Sequence, residues 1–452
     1  MKNKFKFSTS HIILLSFIPV ILLGSLLLSL PISSASGIRV PYIDALFTAT
    51  TATCVTGLVT LPVASTWSIF GQIVILIMIQ LGGLGIITVM SGFMMALRRR
   101  ISLGSKLLIQ DSFNLNTLSG LSAFIKKVLI GTFAVEGVGA LLYMTVFVPE
   151  FGARGIWISV FNSVSAFCNA GIDIISHNSL CNYAANPIVN TITCLLIILG
   201  GIGYVVWWDF ARVIGDFKKK GFRCFKSLTL HSKIAICVSL CLVFAGAALI
   251  FIFEYNNPDS IGDMSLLDKI QASLFQSVTT RTAGFASIPQ ENLTNASAIV
   301  CLVLMFIGGS PVGTAGGVKT VTVAVLLAAA LSTIKNQNEV AIFNRSISDQ
   351  LIRRAVAVVC SSFAIALVST VLLSAFVDAA ALDILYESVS ATATVGLTRG
   401  VSSILTLGGK IVLICTMYLG RVGPISLAFA LNFSRKKSQN IIKNPAEDVS
   451  VG

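Results

Sequence analysis

The chain has 452 residues, of which 55% are hydrophobic and only 11% are charged, and its mean hydropathy is +0.88. Average globular domains carry about a quarter charged residues, so this composition excludes a soluble protein and indicates a polytopic membrane protein. The net charge of +13 does not indicate a nucleic-acid partner, because the basic residues fall in short loops between apolar segments.

Eight apolar segments follow one another along the chain, each about long enough to cross a bilayer. They lie near residues 11–31, 68–97, 122–148, 187–214, 231–254, 295–334, 351–377 and 406–432. The first follows a lysine-rich start and so is similar to a signal peptide, but the first repeat needs it as its opening helix. We predict four repeats, residues 1–100, 101–220, 221–340 and 341–433, and a cytoplasmic C-terminal tail, residues 434–452.

The charged residues divide the loops into two sets. Of the 32 basic residues, 24 lie in the N-terminus, the loops between repeats and the tail, so we predict that this side and both termini are cytoplasmic. On the opposite side 11 acidic residues face 5 basic ones, which predicts a negative outer mouth that concentrates cations. For Asp44, Asp268 and Asp383 we expect helix capping to be the larger role.

One motif recurs four times, between the two apolar segments of each pair. It begins at an aromatic residue, continues through Ser, Thr and Ala, and ends at Gly57, Gly171, Gly284 or Gly396. These glycines are 114, 113 and 112 residues apart. The motif is too short and too polar to span a membrane, which favours a half-helix that enters and returns as extended chain around a cavity.

The half-helices give the chemistry of a cation filter. A hydrated cation loses its water only if oxygens replace it, and backbone carbonyls do this in potassium-channel filters. Glycine allows the return strand to approach the ion and to adopt a left-handed conformation. The predicted filter residues are Val55, Thr56, Gly57, Asn169, Ala170, Gly171, Thr282, Ala283, Gly284, Thr394, Val395 and Gly396.

These observations predict an all-α polytopic membrane protein with four parallel helix–half-helix–helix repeats in pseudo-fourfold arrangement around one pore. The third repeat breaks the symmetry, because Phe275 stands nine residues before its glycine and the other aromatic residues stand ten before theirs. It also carries Arg281 next to the filter. We expect this guanidinium to turn away from the axis and to bind an acidic residue, since on the axis it would repel cations.

The second apolar segment of the third repeat contains too many glycines to continue as a helix. Exposed backbone at this depth must line a cavity, so we predict a gate that crosses the ion path below the filter. Arg421 takes the place of a glycine in the fourth repeat and is predicted either to hold this gate shut or to anchor the fold by pairing with an acid such as Glu136. The predicted gate residues are Gly308, Gly309, Ser310, Gly313, Gly316, Gly317, Lys319 and Arg421.

The chain resembles the potassium-translocating subunits of bacterial Ktr systems (KtrB, NtpJ type), in the superfamily that includes TrkH and plant HKT transporters. The resemblance lies in the four motifs, in residues 306–320 (FIGGSPVGTAGGVKT) and in residues 418–424 (YLGRVGP). It implies K⁺ as the transported ion, Na⁺ as an activator, no organic cofactor, a homodimer in lipid and a cytoplasmic KtrA-like ring of nucleotide-binding regulatory subunits. Because the first motif begins at Phe47, we expect the extra N-terminal helix pair of TrkH proteins to be absent.

Other classes of function find less support. Residues 313–320 imitate a phosphate-binding loop, but Val318 separates glycine from lysine and no strand precedes it. The ten cysteines form no CxxC pair and the three histidines are scattered, so we predict neither a zinc site nor an enzyme, and the one predicted metal is potassium at the backbone carbonyls of the filter. The alternatives left open are a secondary transporter coupled to Na⁺ or H⁺ and a sensor derived from a transporter.

Overall fold

The structure, a computed structural model, describes residues 9–96, 121–215, 221–337 and 339–423. A two-stranded antiparallel hairpin, β1 (Ala341–Ile342) and β2 (Arg345–Ser346), precedes the last three helices. The helices are α1 (Thr9–Leu28), α2 (Tyr42–Cys54), α3 (Val63–Thr66), α4 (Ile69–Leu84), α5 (Ile86–Ala96), α6 (Leu121–Phe151), α7 (Ala153–Phe167), α8 (Pro187–Gly201), α9 (Tyr204–Gly215), α10 (Leu230–Glu254), α11 (Leu266–Thr279), α12 (Asn295–Phe306), α13 (Thr320–Ile334), α14 (Asp349–Ser374), α15 (Ala381–Ala393) and α16 (Leu407–Val422).

Each repeat has a first helix, a half-helix and a second helix. The half-helices are α2, α7, α11 and α15, and they coincide with the recurring motif. The aromatic residue that opens each motif is at most 1% exposed, so all four anchor their half-helices in the core. The start of each second helix is also encoded in the sequence. The side chain of the residue before the helix accepts a hydrogen bond from a backbone N–H of the first turn and so caps the helix. These caps are Ser68, Asn186, Thr294 and Thr406.

The repeats are joined into a ring by one type of contact. The second helix of each repeat packs against the half-helix of the next: α4 against α7, α8 against α11, and α12 against α15. Helix α16 of the fourth repeat packs against α2 of the first, which closes the ring. The predicted helical fold with four pseudo-equivalent repeats is therefore confirmed.

The first helices lie on the outside of this ring. Each exposes large apolar side chains, among them Leu23 of α1, Leu141 of α6, Phe244 of α10 and Val371 of α14, each at least 63% exposed. An apolar perimeter of this extent is expected where the surrounding solvent is lipid. Among the described residues, α6, α10 and α14 can each cross a membrane by length and composition, and two bent helix pairs raise the number to five.

The second helices of the first three repeats are bent or interrupted at their glycines. The two halves α4 and α5 meet at an angle of 98°, and α8 and α9 meet at 99°. In the third repeat the interruption extends from Ile307 to Lys319, between α12 and α13. Five of the eight predicted segments thus correspond to long or bent spans in the described part of the chain. Helices α1, α12 and α13 are shorter and apolar, and α16 is 16 residues long.

The exact repeat boundaries remain predictions. The boundaries at residues 100 and 220 fall outside the described residues, as do the N-terminal lysines and the predicted tail, residues 434–452.

Candidate ion pathway

The four half-helices end in the same unusual backbone turn. The residue two positions before each motif glycine has a positive φ, which is 55° at Val55, 57° at Asn169, 68° at Thr282 and 51° at Thr394. Left-handed conformations cost about 1–3 kcal/mol for such residues, and three of these four are β-branched. The motif glycines also have positive φ values. A strained turn that occurs four times indicates that the geometry around the axis requires it.

The four motif glycines form a closed ring. A Cβ added to any of them would lie 2.6 Å or less from a carbonyl oxygen of the next repeat, so no side chain fits without displacing that carbonyl. The contacts run from Gly57 to Ala170, from Gly171 to Ala283, from Gly284 to Val395 and from Gly396 to Thr56. The twelve predicted filter residues are therefore brought together, with one carbonyl from each repeat lying at the ring.

A hydroxyl residue four positions after each aromatic residue holds the return strand in place. Its backbone carbonyl accepts a 2.8–2.9 Å hydrogen bond from the residue before the motif glycine in every repeat, and its hydroxyl bonds the strand again. These residues are Thr51, Ser165, Thr279 and Ser390. In the third repeat two residues separate this hydroxyl residue, Thr279, from Thr282, the residue with positive φ. In each of the other repeats the corresponding separation is three residues, so the turn of the third repeat is one residue shorter.

A cavity of about 220 Å³ opens on the side where the half-helices begin, which we call the mouth side. It is lined by the four glycines and, among others, by Asp173, His177 and Glu291. Asp173 Oδ1 accepts backbone hydrogen bonds from Ile175 and Ser176. Burial nevertheless raises the pKa of the Asp173 carboxyl above its usual value. Of the 11 acidic residues predicted on this side, Asp173 and Glu291 are the ones that line this cavity.

Several other mouth-side acids form internal contacts. Asp44 lies 2.5 Å from Lys410, and Asp383 lies 2.6 Å from Arg399. The predicted capping role is wrong for both, since the residues before their helices are Pro41 and Ala380 and the carboxylates bind basic side chains. Asp268 does belong to a cap, because Ser265 accepts from its N–H and donates to its carboxylate.

Beyond the ring, on what we call the inner side, lies the segment between α12 and α13 that the sequence predicts to be a gate. We call residues 307–319 the gate loop. Its Ser310 and Thr314 N–H groups donate to the carbonyl oxygens of Gly201 and Gly200, at 2.8 and 3.1 Å. The loop therefore sits in the break of the second repeat, where Gly313 packs directly on the backbone.

The gate loop also contacts the ends of the half-helices. The Gly316 N–H donates a 3.0 Å hydrogen bond to Thr282 Oγ1, and Thr314 Oγ1 donates a 3.0 Å bond to the Phe167 carbonyl. A Cβ on Gly316 would lie 2.5 Å from the Ala393 carbonyl oxygen. The loop thus lies directly below the glycine ring. Thr314 was missed by the sequence prediction, although a hydroxyl residue within a glycine-rich run was a signal for it.

Arg421 and Lys319 bind the gate loop from the inner side. Arg421 donates to the carbonyl oxygen of Thr314 at 2.8 Å and to that of Gly82 in the first repeat. Lys319 Nζ donates to the carbonyl oxygens of Ala315 and Gly316. Both line a cavity of about 380 Å³ that also touches the gate loop. No ion pair of Arg421 occurs among the described residues.

The alternative partner for Arg421, Glu136, is engaged elsewhere. Both carboxylate oxygens of Glu136 lie 3.1 Å from Gln80 Nε2. Arg421 is therefore not anchored by this acid.

Arg281 turns away from the axis, as predicted, but the predicted acidic partner is wrong. Its guanidinium donates to the backbone carbonyl and hydroxyl of Ser239 at 3.0 and 3.1 Å, and to the Gly308 carbonyl at 3.3 Å. All three acceptors are neutral oxygens. Arg281 thus links the third filter segment to the start of the gate loop.

The glycines of the second helices serve close packing. A Cβ added to Gly82, Gly200 or Gly420 would overlap a carbonyl near the end of the half-helix in the same repeat. The three carbonyls belong to Thr53, Phe167 and Thr392, each four residues before the motif glycine. Only glycine allows the helices to approach this closely.

Comparison with known proteins agrees with this architecture. The chain matches the family model TrkH, described as a cation transport protein, over residues 4–441. It is 35% identical to Ktr system potassium uptake protein B of Bacillus subtilis, over 99% of this chain and 97% of that protein. It is also 35% identical to the potassium/sodium uptake protein NtpJ of Enterococcus hirae, over 99% of this chain and 98% of that protein.

The fold also matches a solved structure. The crystal structure of the potassium transporter TrkH from Vibrio parahaemolyticus superimposes with a TM-score of 0.76, at 16% identity, over 96% of this chain and 88% of that one. This family is one of transporters rather than of enzymes. The chain belongs to the TrkH family of cation transport proteins.

Proposed function

We propose that this protein takes up potassium across the cell membrane of a bacterium through its central pore. The observation that carries the proposal is the closed ring of four motif glycines, each against a carbonyl of the next repeat. A ring of this kind offers oxygens to a cation that has left its water shell. The names of the full-length relatives, which are potassium uptake proteins, support potassium as the ion.

The filter is proposed to consist of the twelve residues that end the motifs, with K⁺ at their backbone carbonyls. The strained turns before the glycines hold these carbonyls in position before the ion arrives, so selection does not require the backbone to reorganise. In the family that the chain resembles, a serine in place of the first filter glycine goes with sodium preference in some plant members, so the glycine at position 57 favours potassium.

The gate loop is proposed to control flux. Its hydrogen bonds to Gly200, Gly201 and Thr282 hold it across the axis, and Arg421 adds a charged donor from the fourth repeat. A positive charge on the inner side of the filter also opposes cation passage while the loop is in place. The gate loop can leave the axis only if these hydrogen bonds break together. A change that weakens several of them at once would therefore open the pore, as a regulated gate requires.

The remaining parts of the proposal rest on the family resemblance and on charge distribution. We place the inner side in the cytoplasm, because most basic residues lie in the loops on that side. The names of relatives refer to a Ktr system, which supports a cytoplasmic KtrA-like regulatory ring, with a homodimer of this chain in the membrane. We also propose that sodium stimulates potassium uptake by this protein, as the family resemblance implies.

Complementation tests the proposed function. A bacterium that lacks potassium uptake is supplied with this gene, and growth is followed while external potassium and sodium are varied separately. Growth at low potassium is the expected result. Failure to grow, with the protein present in the membrane, would overturn the proposal and favour a sensor.

Flux measurements in proteoliposomes distinguish a channel from a coupled transporter. We expect flux to follow the potassium gradient and the membrane potential without a fixed stoichiometry of sodium or protons. A fixed ratio that persists when the gradients are varied would identify a secondary transporter.

A further inference from the structure

The two ends of the gate loop lie side by side. The Val318 N–H donates a 3.0 Å hydrogen bond to the carbonyl oxygen of Phe306. A Cβ on Gly308 would lie 2.1 Å from the carbonyl oxygen of Gly316, so the two ends touch backbone to backbone. We call Gly308 and Gly316 the neck of the gate loop. A movement that separates the ends of the loop displaces this neck.

Two consecutive residues of the third filter segment bind both sides of the neck. Arg281 Nη2 donates to the Gly308 carbonyl oxygen at 3.3 Å, and Thr282 Oγ1 accepts from the Gly316 N–H at 3.0 Å. Thr282 is also the residue with a φ of 68° whose backbone leads into Gly284 of the ring. The neck is therefore connected to the filter through two adjacent residues.

Arginine at this position occurs in the repeat that carries the gate loop. The residues three positions before the motif glycine in the other repeats are Cys54, Cys168 and Ala393. The breaks in the second helices of the first two repeats are short, since Gly85 alone separates α4 from α5 and residues 202–203 separate α8 from α9. The long loop and the arginine thus occur together in the third repeat.

Burial makes this arginine costly for the stability of the fold. Arg281 is 9% exposed, and no acidic side chain pairs with it among the described residues. Its acceptors are the neutral oxygens of Ser239 and Gly308, and its Nε atom has no partner in the described part of the chain. A buried charge without a counter-ion costs free energy that an apolar side chain of similar size does not. Stability therefore does not account for an arginine here, and a buried ionisable residue in a membrane protein indicates a function.

We propose that Arg281 couples the gate loop to the filter, so that opening of the loop also weakens ion selection. When the neck moves, Arg281 loses the Gly308 carbonyl and Thr282 loses the Gly316 N–H. The strained turn at Thr282 is then held by fewer contacts, and the carbonyls that follow it lose their fixed positions. Arg281 is thus a positioning residue that acts on the ion through Thr282. This inference rests on the proposed function, because it requires cations to pass the ring.

Three variants separate the hydrogen bonds of Arg281 from its charge. Arg281→Met removes the donors and the charge and keeps a long side chain. Arg281→Lys keeps the charge, but its single nitrogen cannot replace the fork that binds Ser239 and Gly308 together. Ser239→Ala is the matched control, because it removes one acceptor on α10 and leaves the bond to Gly308 and the backbone carbonyl of residue 239.

The test compares potassium and sodium uptake from equal external concentrations into proteoliposomes that contain the full chain. We expect Arg281→Met to lower the ratio of potassium to sodium uptake about tenfold, and Arg281→Lys to lower it about threefold. Potassium uptake itself is expected to rise in Arg281→Met, because the neck has lost a contact. Ser239→Ala is expected to keep the wild-type ratio.

A second arm tests the coupling directly. Arg421→Gln frees the gate loop from the fourth repeat without changing the third filter segment. In the wild-type background it is expected to raise flux and to lower the ratio together. In the Arg281→Met background it is expected to raise flux again but to lower the ratio by at most about twofold, because the connection between loop and filter is already broken.

The outcomes distinguish this inference from the proposed function. Wild-type ratios in both Arg281 variants would overturn the coupling, as would a wild-type ratio in Arg281→Lys beside a changed one in Arg281→Met, since the charge alone would then act. Arg281→Met is expected to melt no lower than the wild type; a much lower melting temperature with an unchanged ratio would identify a structural anchor. If Arg281→Met does not reach the membrane, Arg281→Lys decides. Absence of potassium uptake by the wild type would instead overturn the proposed function.

Discussion

Arg421 Nη1 donates a 2.8 Å hydrogen bond to the carbonyl oxygen of Thr314, so the last described helix of the fourth repeat holds the gate loop of the third. The same guanidinium bonds Gly82 of the first repeat. One side chain therefore connects three repeats at the inner side of the filter. Its bonds bear directly on whether the loop can move.

We expect Arg421→Gln to increase potassium flux. Loss of a charged donor to a buried carbonyl costs about 1.5–3 kcal/mol, and this favours the open loop by roughly tenfold or more. Arg421→Lys keeps the charge but not the two-pronged geometry, so an intermediate flux is expected. Flux in proteoliposomes is the measurement, with the exposed mouth-side Arg154→Gln as control. Unchanged flux in Arg421→Gln would remove Arg421 from the gate.

Shortening the loop between Ser310 and Gly317 is also expected to raise flux. In this background Arg421→Gln is expected to add little, because its partner Thr314 has been removed and the two changes share one interaction. A deletion variant that transports at the wild-type level would show that the loop is not the gate.

Gly171→Ala is expected to abolish potassium uptake. The residue has a φ of 62°, and an added Cβ would lie 2.5 Å from the Ala283 carbonyl oxygen. Gly137→Ala in α6 is the matched control, since a Cβ there meets nothing within 4 Å. Growth at low potassium reports the difference. Normal growth of Gly171→Ala would contradict the filter assignment.

The ion pair between Asp44 and Lys410 is expected to stabilise the junction of the first and fourth repeats. These two side chains are 8% and 18% exposed, so removing one partner leaves a largely buried charge, which costs about 3–5 kcal/mol. Asp44→Asn should therefore lower the melting temperature of the purified protein. Adding Lys410→Met should recover part of the loss. Additive losses in the double variant would show that the pair contributes no coupling.

Transport at low external potassium is expected to fall as the external pH is lowered. The pKa of Asp173 is raised by burial, so this carboxyl takes up a proton at a higher pH than an ordinary aspartate and the mouth loses negative charge. Asp173→Asn should reduce flux at neutral pH and weaken the pH dependence. His177→Gln and Glu291→Gln measure the contributions of two other titratable residues that line the same mouth. An unchanged pH profile in Asp173→Asn would exclude this residue as its source.

The sequence determined the four repeats and the position of the recurring motif in each of them. A motif that recurs every 112–114 residues indicates four repeats with equivalent structure. The glycine that ends each motif indicates where the backbone approaches a common axis. Composition alone determined that the solvent of this fold is lipid. The glycine-rich run after Phe306 likewise predicted a break, because such residues cannot continue a helix.

Only the tertiary structure decided which groups meet. Periodicity cannot state that Gly396 faces Thr56 and closes the ring, since these residues lie 340 positions apart. It also cannot show that Arg281 binds neutral oxygens instead of an acid, or that Asp44 binds Lys410 instead of capping its helix. The type of a residue gives its charge and its hydrogen-bond donors and acceptors, but the residue that it binds depends on how the helices pack in the tertiary structure. Here the order of the four repeats around the axis determines which helices are neighbours and therefore which side chains meet.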